Sequence, residues 1–153
     1  MSSTQKATIT SLQICVGHRE PMRSVEIAKV ITGFGIEGDR HATSEGVRVA
    51  RQALLIDEET LHPLGLSSGD VRENITTTGI DVHSLPEGQH VALGDEVVLK
   101  ITGHCAPCPR MDEIRSGLQD ILRGQRGMLS QVVYGGTIKV GDVVRVLESA
   151  PAS

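Results

Sequence analysis

Gly33-Phe34-Gly35-Ile36-Glu37-Gly38, followed by Asp39-Arg40-His41-Ala42-Thr43-Ser44-Glu45-Gly46, admits two incompatible readings of the whole chain. The first six residues match G-x-G-x-x-G, and a β-branched run, Val25 to Thr32, stands immediately before them. In a dinucleotide-binding fold such a turn must open a helix, because the pyrophosphate sits on the helix N-terminus. Residues 39–46 are too short for a crossover helix, and the run from Val47 to Ile56 predicts a new strand almost at once. Asp57 stands where the fingerprint wants an acid, but that coincidence is cheap. The required context is missing, so the stretch predicts a glycine-rich loop in a chain without βαβ alternation.

Working outward from this loop, short strands dominate. Leu12, Ile14 and Val16 alternate with polar or small residues before Gly17, and Val25 to Thr32 is bounded by Pro21 and Gly33. Within Val47 to Ile56, Val47, Val49 and Arg51 fall on one face, and the apolar segment Ala53 to Ile56 predicts burial on both sides. Asp57 to Leu64 predicts a short helix, with Asp57, Glu58 and Glu59 in the first turn, where the dipole favours acid, and Pro63 limiting it. Asn74 to Thr78 is short and β-branched, and Val97, Leu99 and Ile101 alternate cleanly. Pro109 to Leu122 predicts the longest helix, from Met111, Ile114, Leu118 and Ile121 at helical spacing, closed by Gly124 and Gly127. Met128 to Tyr134, Thr137 to Val140 and Val143 to Leu147 read as strands joined by Gly135-Gly136 and Gly141-Asp142. Many close-spaced strands with two helices predict a mostly-β barrel or sandwich.

The 153 residues suit one domain, expected over 7–149 with tails at 1–6 and 150–153. With one Phe, one Tyr and no Trp, the core must be aliphatic, and there are no stacking platforms for single-stranded nucleic acid. A net charge of −4 does not draw the molecule toward nucleic acid or an anionic membrane. No apolar segment predicts a signal peptide or a membrane span. Three cysteines, Cys15, Cys105 and Cys108, do not make a disulfide scaffold. A cytoplasmic, reducing compartment is the expectation.

Cys105-Ala106-Pro107-Cys108 is the motif that carries chemistry. Zinc would want a second pair or two histidines at fixed spacing; His104 and Cys15 make four ligands conceivable without a signature. A thioredoxin-type pair would open a helix in an α/β fold, and inert burial as small hydrophobes stays open. Position favours reactivity, because Pro107 and Pro109 stiffen the loop. Arg110 and the predicted helix N-terminus also stand close enough to favour a thiolate. Arg40, Arg51, Arg72 and Arg110 are each ordinary as solvated charges, but converging on a cleft they would hold a phosphate. Among six histidines no metal spacing appears, and only His41 and His104 stand out, by their neighbours.

Four segments, in order, resemble one family, the MOSC domains. Gly35-Ile36-Glu37-Gly38-Asp39-Arg40-His41 resembles their G-x-x-G-D-R-H segment. Gly69-Asp70-Val71-Arg72-Glu73-Asn74-Ile75-Thr76 with Gly79-Ile80 resembles their R-E-N segment. Cys105 to Arg110 resembles the loop of the signature cysteine, at Cys108, and Gly136 to Asp142 resembles the closing G-x-I-x-x-G-D turn. The resemblance implies a mostly-β fold with few helices and a β-barrel core like that of the pyruvate kinase barrel domain. It implies that Cys108 is catalytic and ligates molybdenum of a molybdenum cofactor (molybdopterin). Asp39, Arg40, His41, Arg51, Arg72, Asn74 and Arg110 become the candidates for holding the pterin and its phosphate.

The expectation is a stand-alone domain that departs from the larger members of that family in two ways, lacking the N-terminal barrel of amidoxime-reducing enzymes and the pyridoxal-phosphate-dependent desulfurase domain of full sulfurases. The leading expectation is a molybdenum oxidoreductase acting on a small N-hydroxylated substrate and fed by a separate electron donor. The alternative is a carrier taking sulfane sulfur on Cys108 from a cysteine desulfurase, with Cys105 able to resolve it. A third reading is a non-enzymatic ligand-binding barrel with inert thiols.

Overall fold

A computed structural model describes residues 6–148. The strands are β1 (Thr8–Ile14), β2 (Arg23–Val25), β3 (Ile27–Ile31), β4 (Gly35–Ile36), β5 (Ala53–Asp57), β6 (Ile75–Thr78), β7 (His90–Leu93), β8 (Val97–His104), β9 (Met128–Tyr134), β10 (Gly136–Lys139) and β11 (Val144–Val146). Three single-turn helices, α1 (Glu58–Leu61), α2 (Met111–Ile114) and α3 (Leu118–Ile121), and 3-10 turns at Val47–Arg51, His62–Leu64 and Val82–Ser84 complete it. The predicted tails lie outside the described residues, apart from Lys6. No helix among the described residues is long and apolar enough to cross a membrane.

Eight strands form one mixed sheet in the order β11-β7-β8-β9-β5-β6-β1-β2, and β10-β3-β4 form a second. The pair β5–β6 is parallel; the other pairings are antiparallel. The large sheet curls until β1 meets the chain entering β11. There Ile9 N donates to Asp142 O (2.9 Å), Gly141 N to Ile9 O (2.8 Å) and Val144 N to Ala7 O (2.9 Å). The concave face holds an aliphatic core that includes Ile9, Leu12, Leu55, Ile75, Leu93, Leu99, Ile101 and Ile138. The mostly-β fold class read from the sequence is the one observed.

The glycine-rich stretch contains no helix. Its strand, β4, returns antiparallel along β3, pairing Val30 with Ile36 and Ile31 with Gly35. Gly35 has φ +136°, and a Cβ there would lie 3.1 Å from the Ala42 Cα and Cβ. The glycine therefore permits a close backbone approach and serves no pyrophosphate.

Three predicted elements differ. Val25 to Thr32 divides at Glu26, with β2 pairing β1 and β3 joining β10 in the other sheet. Val47–Arg51 is a 3-10 turn rather than the start of a strand, and Val47 is 89% exposed. The strand begins only after Gln52, whose buried amide donates to Gly33 O (2.9 Å) and Thr43 O (2.8 Å) and accepts from Val132 N (2.8 Å). Pro109 to Leu122 is not one helix: Arg115 is extended (φ −159°) and Gly117 left-handed (φ 86°). Met111 and Leu118 are buried while Ile114 and Ile121 are exposed, so the apolar spacing does not mark one continuous face.

All of β5 is buried. Leu55 and Ala53 face the main core, so alternation sends Leu54 and Ile56 to the opposite face. There Ile56 joins a second cluster with Leu61, Leu66, Val71, Met111, Leu118 and Leu122, against which Cys108 packs. The candidate site lies beside this second cluster.

Candidate functional site

The cysteine loop runs from β8 into α2. Cys105 N donates to Gly127 O (2.9 Å), fixing its start, and Met111 N donates to Cys108 O (3.0 Å), fixing its end. Cys15 and Cys105 are buried and Cys108 is partly exposed. All three line one cleft of about 170 Å³, together with Arg40, His41, Arg51, Arg72, Asn74, Arg110 and Arg126. Leu54, Met111 and Leu129 provide its apolar wall. Two larger hollows share its walls: one through Arg40, His41 and Arg51, reaching Arg48, and one through Arg72, Arg110 and Met111.

The structure thus brings Cys108 together with six of the seven other residues singled out in the sequence. Asp39 is the exception. It is buried behind the cleft, with Oδ1 accepting from Cys15 N (2.7 Å) and Asn74 Nδ2 (2.9 Å) and Oδ2 from His41 N (3.0 Å). The Asn74 amide also donates to Gln13 O (3.2 Å) and accepts from Leu54 N (3.0 Å). Asp39 and Asn74 therefore tie β1, the loop after β4 and the segment before β6 into one unit. Their polar atoms hold the wall in place rather than reaching into the space.

Arg72 is held in a left-handed conformation (φ 65°), uncommon for a side chain of its size. Its guanidinium donates to Glu20 O (2.8 Å), Gly17 O (3.0 Å) and Cys15 Sγ (3.1 Å). At the rim, Arg40 Nη1 lies 3.2 Å from His18 Nδ1. His18 is held below the usual histidine range, first by lost hydration, then by Arg40, Arg110, Arg19 and Arg72. The local charge is positive although the chain is net acidic. The dipole support expected from a long helix is reduced to one turn at α2, which leaves the arginines as the main source of positive potential.

Sequence reasoning did not single out Arg126. It sits between residues read only as helix-closing glycines and strand, with no motif around it. It is 6% exposed, and its Nε and Nη1 have no hydrogen-bond partner among the described residues. The zinc arrangement that looked conceivable is not built. His104 instead stacks on His83 with ring centroids 6.1 Å apart. Among the described residues the one group at metal-ligand spacing is Asp57, Asp81 and His83, which contains no cysteine. His83 Nε2 accepts from Gly127 N (2.9 Å), so the neutral ring carries its proton on Nδ1, the atom that would face an ion.

A curled, mostly-β domain presenting one partly exposed cysteine in an arginine-lined cleft is the class that fold and site define. A model of the MOSC domain matches residues 41–145, and the chain belongs to that family. The Gly35–Arg40 segment lies just upstream of the match. Among solved structures, the YuaD protein of Bacillus subtilis is similar with a TM-score of 0.77 at 20% identity, covering 92% of this chain and 94% of that one. YiiM of Geobacillus stearothermophilus gives 0.73 at 15% identity (93% and 75% covered). YiiM of Escherichia coli gives 0.68 at 15% (95% and 72% covered). At these identities the likeness is one of fold. No curated protein matches.

Proposed function

We propose that the cleft binds the molybdenum cofactor, with Cys108 as the thiolate ligand of the metal, and that the chain reduces N-hydroxylated compounds. The carrying observation is that Cys108 is the one partly exposed cysteine and stands in a cleft lined by five arginines and no carboxylate. A thiolate suits a soft metal, and guanidiniums suit a phosphate. The residues present fit such a group: Arg126 has buried donors without a partner, and the adjoining hollows give the pterin room.

When bound, the cofactor supplies a two-electron couple for the net conversion R–NHOH + 2 e⁻ + 2 H⁺ → R–NH₂ + H₂O. Cys108 would hold the metal as its thiolate ligand, and Leu54, Met111 and Leu129 would give that cleft its apolar lining. Arg40, Arg51, Arg72, Arg110 and Arg126 bind and orient the anionic part. Asp39 and Asn74 position the wall. His41, the imidazole on the cleft wall, would deliver a proton to the departing oxygen. Electrons come from a separate donor protein. Protein made in cells competent for molybdopterin synthesis, given a low-potential dye, should convert an N-hydroxylated base to the amine, and Cys108→Ser should not. Equal turnover by that variant would contradict the proposal.

One observation favours a second reading: Cys105 lines the same cleft as Cys108. In a sulfur carrier the Cys108 thiolate attacks the outer sulfur of a desulfurase persulfide, forming a persulfide and releasing the desulfurase thiolate. Intact mass after exposure to a desulfurase should then show one added sulfur atom that depends on Cys108. An unchanged mass eliminates this reading.

A further inference from the structure

Arg126 combines two properties that ordinary structural arginines do not. It is buried, and its Nε and Nη1 are both partnerless among the described residues. A guanidinium stays charged at any physiological pH and brings five donors, and a buried charge normally appears paired. The charge of Arg126 acts on the buried Glu73, but no ion pair within 4.0 Å joins them among the described residues. Glu73 Oε1 is itself without a partner, while Oε2 accepts from Gly69 N (2.7 Å) and Thr76 Oγ1 (2.8 Å). Burial holds the Glu73 carboxyl above the usual carboxylate range, against the hydrogen bonds from Gly69 and Thr76.

The backbone beside Arg126 is fixed to the cysteine loop. Gly127 donates to His83 Nε2 (2.9 Å) and accepts from Cys105 N (2.9 Å). It has φ +109°, and a Cβ there would lie 2.8 Å from Leu55 O. Arg126 is therefore delivered to the cleft wall beside Cys105 and Cys108 by a segment with little freedom to turn it elsewhere.

We infer that Arg126 is the anchor of an oxyanion-binding site in the floor of the cleft, taking a tetrahedral oxyanion on the donors that the fold leaves unpartnered. The neighbouring arginines supply further charge. The anion is either a phosphate monoester, such as the tail of a phosphorylated cofactor, or a free inorganic oxyanion. In naming a cofactor phosphate as one source, the inference rests on the function proposed above, but the site itself needs no metal.

The test uses full-length, metal-free protein at constant ionic strength, titrated with inorganic phosphate, a simple phosphate monoester and molybdate. Thermal unfolding and calorimetry are the readouts. The wild type should bind saturably and gain thermal stability. Arg126→Gln should weaken binding by about tenfold to a hundredfold, Arg126→Lys by less, and Arg123→Gln, at an exposed arginine outside the cleft that pairs with Asp120, should bind as the wild type does. Without anion, Arg126→Gln should melt no lower than the wild type, since it removes a buried unpaired charge. Tighter binding of the monoester identifies a phosphorylated ligand, and tighter binding of molybdate a free oxyanion. Wild-type affinity in Arg126→Gln overturns the inference. So does a loss of stability in Arg126→Gln that Glu73→Gln restores, which would make the arginine a structural counter-charge. Anion binding without molybdenum uptake would leave this site standing and remove the cofactor reading.

Discussion

Asp39 has a short side chain with both oxygens occupied, and three chain segments meet on it. Removing it would strand the N–H groups of Cys15 and His41 and free the amide of Asn74. The Cys15 and Asn74 donors are buried and losing their acceptor costs about 1–3 kcal/mol each, while the His41 N–H is only partly buried; Asp39→Ala should therefore lower stability by about 3 kcal/mol in urea unfolding, and a change within experimental error would mean the wall does not hang on this carboxylate. The same residue shows how far single positions were legible in the sequence. Gly-Asp-Arg-His announced that Asp39 matters but not that it works from behind the wall, because that depends on the distant Asn74 arriving at 2.9 Å. Arg126 was illegible for a related reason. Its significance is the absence of a partner, and only the fold shows which partners are within reach.

At the level of elements, strand alternation was reliable where one face met the core, as in β8 with Val97, Leu99 and Ile101 buried. It failed where a side chain replaces the backbone ladder, as Gln52 does, and where helical spacing is interrupted by a backbone bend, as at Arg115 and Gly117. The turn before β9 is the element on which the site depends most. Gly127→Ala would force a Cβ against Leu55 O at 2.8 Å in a left-handed backbone, and should cost about 2 kcal/mol or more. A variant as stable as the wild type would show that the turn can relax. The same turn gives a pH dependence through His83, which burial holds below the usual histidine value, against the raising effect of Asp57 and Asp81. The unfolded chain then takes up its proton first as pH falls. His83 contributes its full stability above pH 6.5 and loses it as pH drops through the folded value. His83→Gln, which keeps an acceptor for Gly127, should flatten the fall in stability between pH 6.5 and the lower folded value. An identical pH profile would place the dependence elsewhere.

At the scale of the molecule, a net charge of −4 coexists with a cleft whose charged wall residues are all basic. The charge needed for an anionic ligand is thus local, drawn from segments spread between Arg40 and Arg126. The curl of the sheet brings these segments to one place, and β5 divides an aliphatic core on one face from the cleft and its supporting cluster on the other. Composition foretold the aliphatic core and the strands foretold the fold class. The convergence of the arginines was not readable from sequence, because it is made by long-range pairing. The central claim is that this convergence exists to seat a metal-bearing cofactor on Cys108. Its most direct test is the molybdenum and pterin content per chain of wild type and Cys108→Ser, both purified from cells that make molybdopterin. The account predicts near-stoichiometric molybdenum with pterin in the wild type and loss of the metal in the variant; a full complement of molybdenum in Cys108→Ser, or none in the wild type, would contradict it.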